Sequence, residues 1–429
     1  MEHRIKPAAR LRGEITCPGD KSISHRAVLF GALAEGGTRV SNFLFAEDCL
    51  GTVECLRRLG VHIEADPAAK ALTINGRGLH GLREPNDILN AGNSATTMRS
   101  MLGLLAGQPF FSAITGDASL RGRPMRRVVE PLRSMGATIL GRQGGDRAPL
   151  AINGGGLVGI DYELPVASAQ IRLALLLAGL FAEGRTSIRG GRLARDHSER
   201  LLRCMGADLA FGEDQVSIAP SPLHPVEISI PGDLSSAAFL MAAAAILPGS
   251  QVVVRGVGLN PTRAGFLSVL NSMGAMIIES DLTELSNEPR GNLSVSGTEL
   301  LGMEVEASRI PAMIDEAPLI AVVGTQARGV TRVSGAEELR VKETDRITAI
   351  CSQLRLMGAA IEEEEGGFAV TGPSRLTGRE VDSFGDHRIA MALAVAALCA
   401  SGETVISSWE CVDISFPGFG EVLESLTHS

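Results

Sequence analysis

Six times along the chain, a small or glycine-containing turn meets a residue with a side-chain oxygen, followed by a strongly apolar stretch at helical spacing. The six oxygen-bearing residues are Asp20, Asn93, Ser168, Asp233, Asp315 and Asp386, which lie 73, 75, 65, 82 and 71 residues apart. A second marker keeps the same beat. It reads Leu59-Gly60-Val61, then Met-Gly-Ala at 135–137, 205–207, 273–275 and 357–359, each closing an amphipathic helix, and it fades into Val422-Leu423-Glu424. Short β-branched runs after glycine-rich turns (38–40, 252–254, 404–406) read as strands. The pattern predicts an α/β protein of six repeats of about 70 residues, each running helix, glycine turn, strand, helix, glycine turn, strand. In the third repeat, helices are expected over 169–183 and 195–205, with strands over 186–189 and 207–211. Six long repeats split naturally into two groups of three, and so into two domains.

Composition narrows this picture. With 45% apolar and 21% charged residues the chain has ample core, and its 50 glycines follow no collagen-like period. The longest apolar runs, such as the twelve residues 389–400, fall short of the roughly 18 needed to span a bilayer. The first 17 residues lack the apolar stretch of a signal peptide, so a cytoplasmic protein without membrane association is expected. Seven cysteines without a CxxC pair suit a reducing compartment, and the eight histidines form no HxxxH or HExxH, so no metal is expected. A net charge of −9 argues against nucleic acid as a partner while leaving room for a local basic cleft. Among the 40 basic residues only four are lysine: Lys6, Lys21, Lys70 and Lys342. An ammonium can lose its proton when desolvated and a guanidinium cannot, so each lysine kept in an arginine-rich chain raises a question.

Each helix start presents free N–H groups that favour an anion. The residues beside these starts are polar: Asp20-Lys21-Ser22-Ile23-Ser24-His25-Arg26, Asn93-Ser94-Ala95-Thr96-Thr97-Met98-Arg99 with Arg121-Gly122-Arg123, Ser168-Ala169-Gln170-Ile171-Arg172 with Arg195-Asp196-His197, Asp315-Glu316 with Arg340 to Arg346, and Gly385-Asp386-His387-Arg388. Polar groups gathered where apolar helices begin suggest a site, because a solvated face would spread them along the outer stripe.

Five strings, PGDKSISHRA, LNAGNSATTMR, RGRPM, RVKETDRI and GDHRIAMA, resemble in order and spacing the motifs of the 5-enolpyruvylshikimate-3-phosphate synthases, and the likeness runs over essentially the full length. The resemblance implies a two-domain inside-out α/β barrel, the enolpyruvyl transferase fold, with three βαβαββ repeats per domain. It implies one domain of residues 1–20 plus 230–429, a second of 21–229, and an active site in the cleft between them. It further implies transfer of the enolpyruvyl group of phosphoenolpyruvate to the 5-hydroxyl of shikimate 3-phosphate through a tetrahedral intermediate, without metal or organic cofactor. A monomer is expected.

Carried over motif by motif, the resemblance assigns shikimate 3-phosphate to Lys21, Ser22, Arg26, Ser168, Ala169, Gln170, Arg195, Asp315 and Lys342. Phosphoenolpyruvate falls to Lys21, Asn93, Ala95, Arg123, Gln170, Glu343, Arg346 and Arg388. Catalysis falls to Lys21, Asp315, Lys342 and Glu343, with Asp315 placed to accept the hydroxyl proton and Glu343 or Lys342 to exchange the proton at C3. His25, His197 and His387 are expected to cap helices or to support neighbours, Asp345 and Asp196 to orient arginines, and Glu362–Glu365 to form a solvated turn. Tyr162 and Trp409 are expected to pack.

Several positions depart from the commonest motif. Ala169 replaces a second serine, Ala95 replaces a glycine, Ser100 a proline and Ile414 a lysine. From these departures a class II type enzyme of low glyphosate sensitivity is expected, with the Ala95 methyl as the steric cause. Two other readings fit the residues less well. UDP-N-acetylglucosamine enolpyruvyl transferase uses a loop cysteine that residues 100–130 lack, and a non-catalytic repeat scaffold would not need Asp315, Glu343 and both motif lysines.

Overall fold

A computed structural model describes residues 1–191, 194–212 and 214–427. The chain folds as two compact units. The middle unit holds Gly19–Ile230 and the short segment Glu284–Glu288, and the terminal unit holds Met1–Pro18, Pro231–Thr283 and Pro289–Ser429. Each has its own hydrophobic core.

Among the described residues each unit contains three sheets, five of the six being four-stranded and the last three-stranded. One plan recurs. In the second repeat, Leu89–Asn90 runs parallel to Phe111–Thr115, which pairs antiparallel with Arg147–Asn153, itself antiparallel to Thr138–Gly141. A parallel strand thus precedes each apolar helix, an element the sequence pattern did not contain. Two of these leading strands pair far from their own repeat. Arg12–Thr16 precedes the first helix yet pairs with Gln251–Gly258, and Glu227–Ser229 precedes the fourth helix yet pairs with Glu35–Ser41. In the sixth repeat Glu2–Ile5, from the start of the chain, supplies the strand antiparallel to Thr404–Ser407.

Helices fall into two kinds for a simple reason. Those apolar on all sides must be covered on all sides. All thirteen residues of Leu234–Ile246 and all twelve of His387–Leu398 are buried. The second helix of each of the first five repeats is amphipathic and ends at the recurring glycine marker. There Gly136 takes φ 108°, its N–H bonds the Arg133 carbonyl at 2.9 Å, and the Ala137 N–H bonds that of Leu132 at 3.1 Å. This is a Schellman ending, which demands a left-handed residue followed by a small apolar one that can be buried. The same bonds recur at Gly60, Gly206, Gly274 and Gly358. Helix Ala95–Ala106 packs closely on Ala169–Gly179, since a Cβ on Gly103 would lie 2.2 Å from the Ala174 carbonyl oxygen.

The structure corrects several boundaries. Asp20, Ser168, Asp233 and Asp386 cap their helices, but the cap of the second is Ser94 rather than Asn93, and that of the fifth is Glu316 rather than Asp315. The third-repeat helices are shorter than expected, Ala169–Gly179 and His197–Cys204, because the Phe181 and Ala182 N–H groups bond three rather than four residues back and Asp196 leaves helical geometry, and the strand is Leu209–Phe211. Glu362–Glu364 lies on the strand Ala360–Glu364, where alternation with its partner Gly367–Gly372 keeps the acids at a solvated edge.

Candidate active site

In the middle unit, Asp20 accepts the Ile23 N–H at 2.8 Å and starts the helix Lys21–Leu33. Lys21 stands in its first turn and pairs with Asp48 at 2.5 Å. Arg26, one turn on and 3% exposed, donates from Nε to the Ser198 hydroxyl and from a terminal nitrogen to the Ser22 carbonyl, both at 2.8 Å. Burial, with Arg195 adding to it, pushes the Arg26 guanidinium down to about 10 against the pull of Glu199 and Asp20. Lys21, Ser22 and Arg26 therefore share one helix start, and Arg195 is close enough to act on Arg26.

Ser168 accepts the Ile171 N–H at 3.4 Å, which places Ala169 and Gln170 in the first turn of their helix. Gln170 is locked: its amide donates to Thr96 at 3.0 Å and its oxygen accepts from Arg99. Thr96 and Arg99 lie in a quoted motif but carried no role. Asn93 sits just before the cap, accepts from Arg123 at 2.8 Å and donates to Asp117 at 2.7 Å. It thus orients the buried Arg123. Ala95 is the first residue of the helix and is half-buried.

The terminal unit gathers Asp315, Lys342, Glu343 and Arg346. Arg346, 2% exposed, donates to Asp386 at 2.7 Å, Glu343 at 2.6 Å and Asp315 at 3.5 Å. Burial opposes its charge, yet Asp386, Glu343 and Asp315 outweigh burial and its pKa is raised. Asp386 serves two groups at once, since its other oxygen caps the N–H of Arg388 at 2.8 Å. The Lys342 ammonium is pushed down by burial and by Arg346, against Asp315, Glu343 and Glu338. Arg388 belongs to a neighbouring network. It lies 3.9 Å from Glu316 and 5.9 Å from the centre of the Phe239 ring. Glu316 also takes the Ser235 hydroxyl and faces Arg263, which binds Asp233 at 3.2 Å. Arg263 and Ser235 have no signal in the sequence beyond Asp233 as a cap, and Glu316 has none beyond its place beside Asp315 at a helix start.

Residues set aside as supporting side chains do support. His25 meets Thr52 at 2.7 Å, His197 meets Glu288 at 2.7 Å, Asp345 binds Arg340 at 2.8 Å while capping its helix, and Asp196 binds Arg200 at 2.9 Å. Trp409 stacks on His3 at 4.3 Å. Among the described residues, no group of three or more His, Cys, Asp and Glu is placed to hold a metal, and no helix is long and apolar enough to cross a membrane.

Comparison with known proteins shows the family. A family model described as EPSP synthase (3-phosphoshikimate 1-carboxyvinyltransferase) matches residues 5–423. The 3-phosphoshikimate 1-carboxyvinyltransferases of Desulforamulus reducens and Desulforudis audaxviator are 52% and 53% identical over 427 residues, covering 99% of each chain. A solved EPSP synthase from Acinetobacter baumannii superposes with a TM-score of 0.89 at 41% identity, covering 99% of this chain and 98% of that one. The enolpyruvyl transferase NikO of Streptomyces tendae shares the fold at a TM-score of 0.80 and 18% identity. This chain belongs to the EPSP synthase family, the 3-phosphoshikimate 1-carboxyvinyltransferases (EC 2.5.1.19) of the shikimate pathway in aromatic amino acid biosynthesis.

Proposed function

We propose that the chain joins phosphoenolpyruvate to the 5-hydroxyl of shikimate 3-phosphate by addition and elimination, with the middle unit supplying most of the anion-binding groups and the terminal unit the proton-handling ones. The observation that carries this is the pairing of two chemistries in one family member. Lys21 and Arg26 stand in the first two turns of one helix, Arg195 just before another and Arg123 at the end of a third, while Lys342 and three carboxylates surround Arg346.

In the addition step the 5-hydroxyl oxygen bonds the enol carbon, Asp315 takes the hydroxyl proton, and C3 of the enol gains a proton from Lys342 or Glu343. In the elimination step a C3 proton returns to that group as the C–O bond to phosphate breaks. Lys21, Ser22, Arg26, Ser168, Gln170 and Arg195 hold shikimate 3-phosphate, and the Ala169 N–H stands in for the absent second serine hydroxyl. Arg123, Arg346 and Arg388 grip phosphoenolpyruvate, for which planar guanidinium forks suit a carboxylate and a phosphate. Arg346 enters with its donors already engaged, so its part is to hold Glu343 and Asp315 as well as substrate. A phosphate-release assay tests the reading. Release is expected only when phosphoenolpyruvate and shikimate 3-phosphate are both present, and release with UDP-N-acetylglucosamine as acceptor overturns it.

Three finer readings go with this one. Buried helices inside and three sheets around them make each unit an inside-out barrel. The enzyme is a cytoplasmic monomer, for which light scattering at a single-chain mass of 45.0 kDa is the check. It is of the class II type, with low glyphosate sensitivity caused by the Ala95 methyl. Ser100 supports a distinct helix start, since its hydroxyl bonds the Thr96 carbonyl at 2.7 Å where a proline would offer none. Glyphosate should compete with phosphoenolpyruvate more tightly in Ala95→Gly than in the wild type, and equally tight inhibition of both removes the idea.

A further inference from the structure

Arg172 has no part in the roles above, yet it is buried and engaged through all three of its guanidinium nitrogens. It lies one turn into the helix Ala169–Gly179 and is 6% exposed. One terminal nitrogen donates to the Gly191 carbonyl at 3.2 Å, and the other to the carbonyls of Ala194 at 2.9 Å and Arg195 at 3.0 Å. Its Nε lies 2.6 Å from Glu199, which is 2% exposed in the first turn of the next helix. A single guanidinium thus ties the helix that carries Ser168 and Gln170 to the backbone that carries Arg195.

The charge arrangement suits a tie. Stability alone does not explain a buried ion pair, because a well-packed apolar pair would serve as well. What a guanidinium adds is a rigid fork of donors, able to reach several carbonyls at fixed angles. Glu199 balances its charge, so the tie adds no net charge to the cationic group formed by Arg26 and Arg195. Those two like charges repel each other, and this adds to the burial that chiefly lowers Arg26. The Arg195 backbone therefore needs an anchor that resists this repulsion, and Arg26 itself reaches the same segment through Ser198.

We propose that Arg172, with Glu199 as its counter-ion, is a positioning residue that sets Arg195 for the phosphate of shikimate 3-phosphate. The proposal rests on the reading of Arg195 as a ligand of that phosphate. Steady-state kinetics of R172K, R172M/E199Q, R195Q and their combinations test it, with circular dichroism and the urea midpoint reporting the fold. R172K keeps the charge pair but cannot span three carbonyls, and R172M/E199Q leaves no lone buried ion. Either change should raise KM for shikimate 3-phosphate about tenfold while kcat and KM for phosphoenolpyruvate stay within about twofold, the pattern of weakened binding of one substrate. On an R195Q background neither should add more than about twofold, because a tie acts only through what it holds. A raised KM in R195Q with an unchanged KM in R172K overturns the positioning role alone. Full additivity in the combinations overturns it too. An unchanged KM in R195Q overturns the phosphate role of Arg195 and this inference with it.

Discussion

The middle and terminal units are built on the same repeat, yet Arg26 of the one and Arg346 of the other are held in opposite ways. Arg26 of the middle unit is held by a hydroxyl and a carbonyl, and its pKa falls to about 10. Arg346 of the terminal unit meets three carboxylates, and its pKa rises. A guanidinium held by neutral dipoles keeps its charge for an incoming anion. One surrounded by carboxylates is compensated before any substrate arrives, and it fixes those carboxylates in place. On the proposed function, the same apolar helix with a polar first turn serves as an anion receptor in one unit and a frame for proton transfer in the other, depending on what the neighbouring repeats present to it.

The largest expected effect tests the proton-transfer half. Lys342→Arg keeps a cation but removes the only one there able to give up its proton, so kcat is expected to fall by about 10²–10⁴-fold with the fold intact. Because burial and Arg346 push the Lys342 ammonium down, the basic limb of the kcat profile should lie below the ordinary lysine value of about 10.4. Between the lowered and ordinary values the native state has released a proton that the unfolded chain still holds, so this group favours the native state increasingly as pH rises through that window. Lys21→Arg is expected to lose most turnover as well, without moving that limb. Near-wild-type turnover in Lys342→Arg would collapse the distinction between the two units.

Stability tests the distinction from the other side. Arg346→Met leaves Asp386, Glu343 and Asp315 without their shared cation, and a loss of about 3–5 kcal/mol is expected. Arg26→Met strands only a hydroxyl and a carbonyl, and about 1–2 kcal/mol is expected. Urea midpoints compared at equal slope decide it, and equal losses would show that burial rather than partner charge governs these arginines.

What was legible in the sequence follows from the range of each interaction. The caps at Asp20, Ser168, Asp233 and Asp386 and the Schellman endings at Gly136 and its counterparts are local, so a few residues specify them. Asn93 and Asp315 were placed one residue early because Ser94 and Glu316 follow them directly, and which of two adjacent polar residues caps depends on where the chain enters the helix. The motif strings supplied the candidate site residues, but not their partners. Arg346 and Asp386 are 40 residues apart, and Arg172 reads in sequence as one polar interruption of an apolar helix. The pairing of Arg12–Thr16 with Gln251–Gly258 was illegible for the same reason, since a strand's own residues do not name a neighbour so distant.

A smaller effect sharpens the cationic character of the middle unit. The Thr97 hydroxyl donates to the Asp48 carbonyl at 3.2 Å, so Thr52, 2.8 Å away, donates to Thr97, and His25 must donate from Nδ1 to Thr52. Its Nε2 is then a bare acceptor, buried without a partner. Burial, Lys21 and Arg26 all hold this imidazole neutral, well below its ordinary value. On acidification the unfolded chain binds a proton that the native state refuses. Stability present above about pH 6.5 is therefore lost as pH falls, by up to about 1.4 kcal/mol per unit for this residue. His25→Leu should flatten that slope and Arg26→Met should reduce it. No change in Arg26→Met would deny the field assigned to the helix start.

The finest test compares two helix starts. Ser94 caps its helix through the Thr97 N–H at 3.1 Å, and Ser94→Ala is expected to cost about 1 kcal/mol. At the equivalent start in the terminal unit, Glu316 makes no cap bond and turns its carboxylate toward Ser235, Arg263 and Arg388. Glu316→Ser would supply a cap worth about 1 kcal/mol and remove a charge-assisted partner worth about 1.5–3 kcal/mol. A net loss of about 1 kcal/mol in the unfolding free energy is therefore expected. A net gain would mean that helix capping outweighs charge compensation even in the unit where compensation is the rule, and the contrast between the two units would have to rest on Arg346 alone.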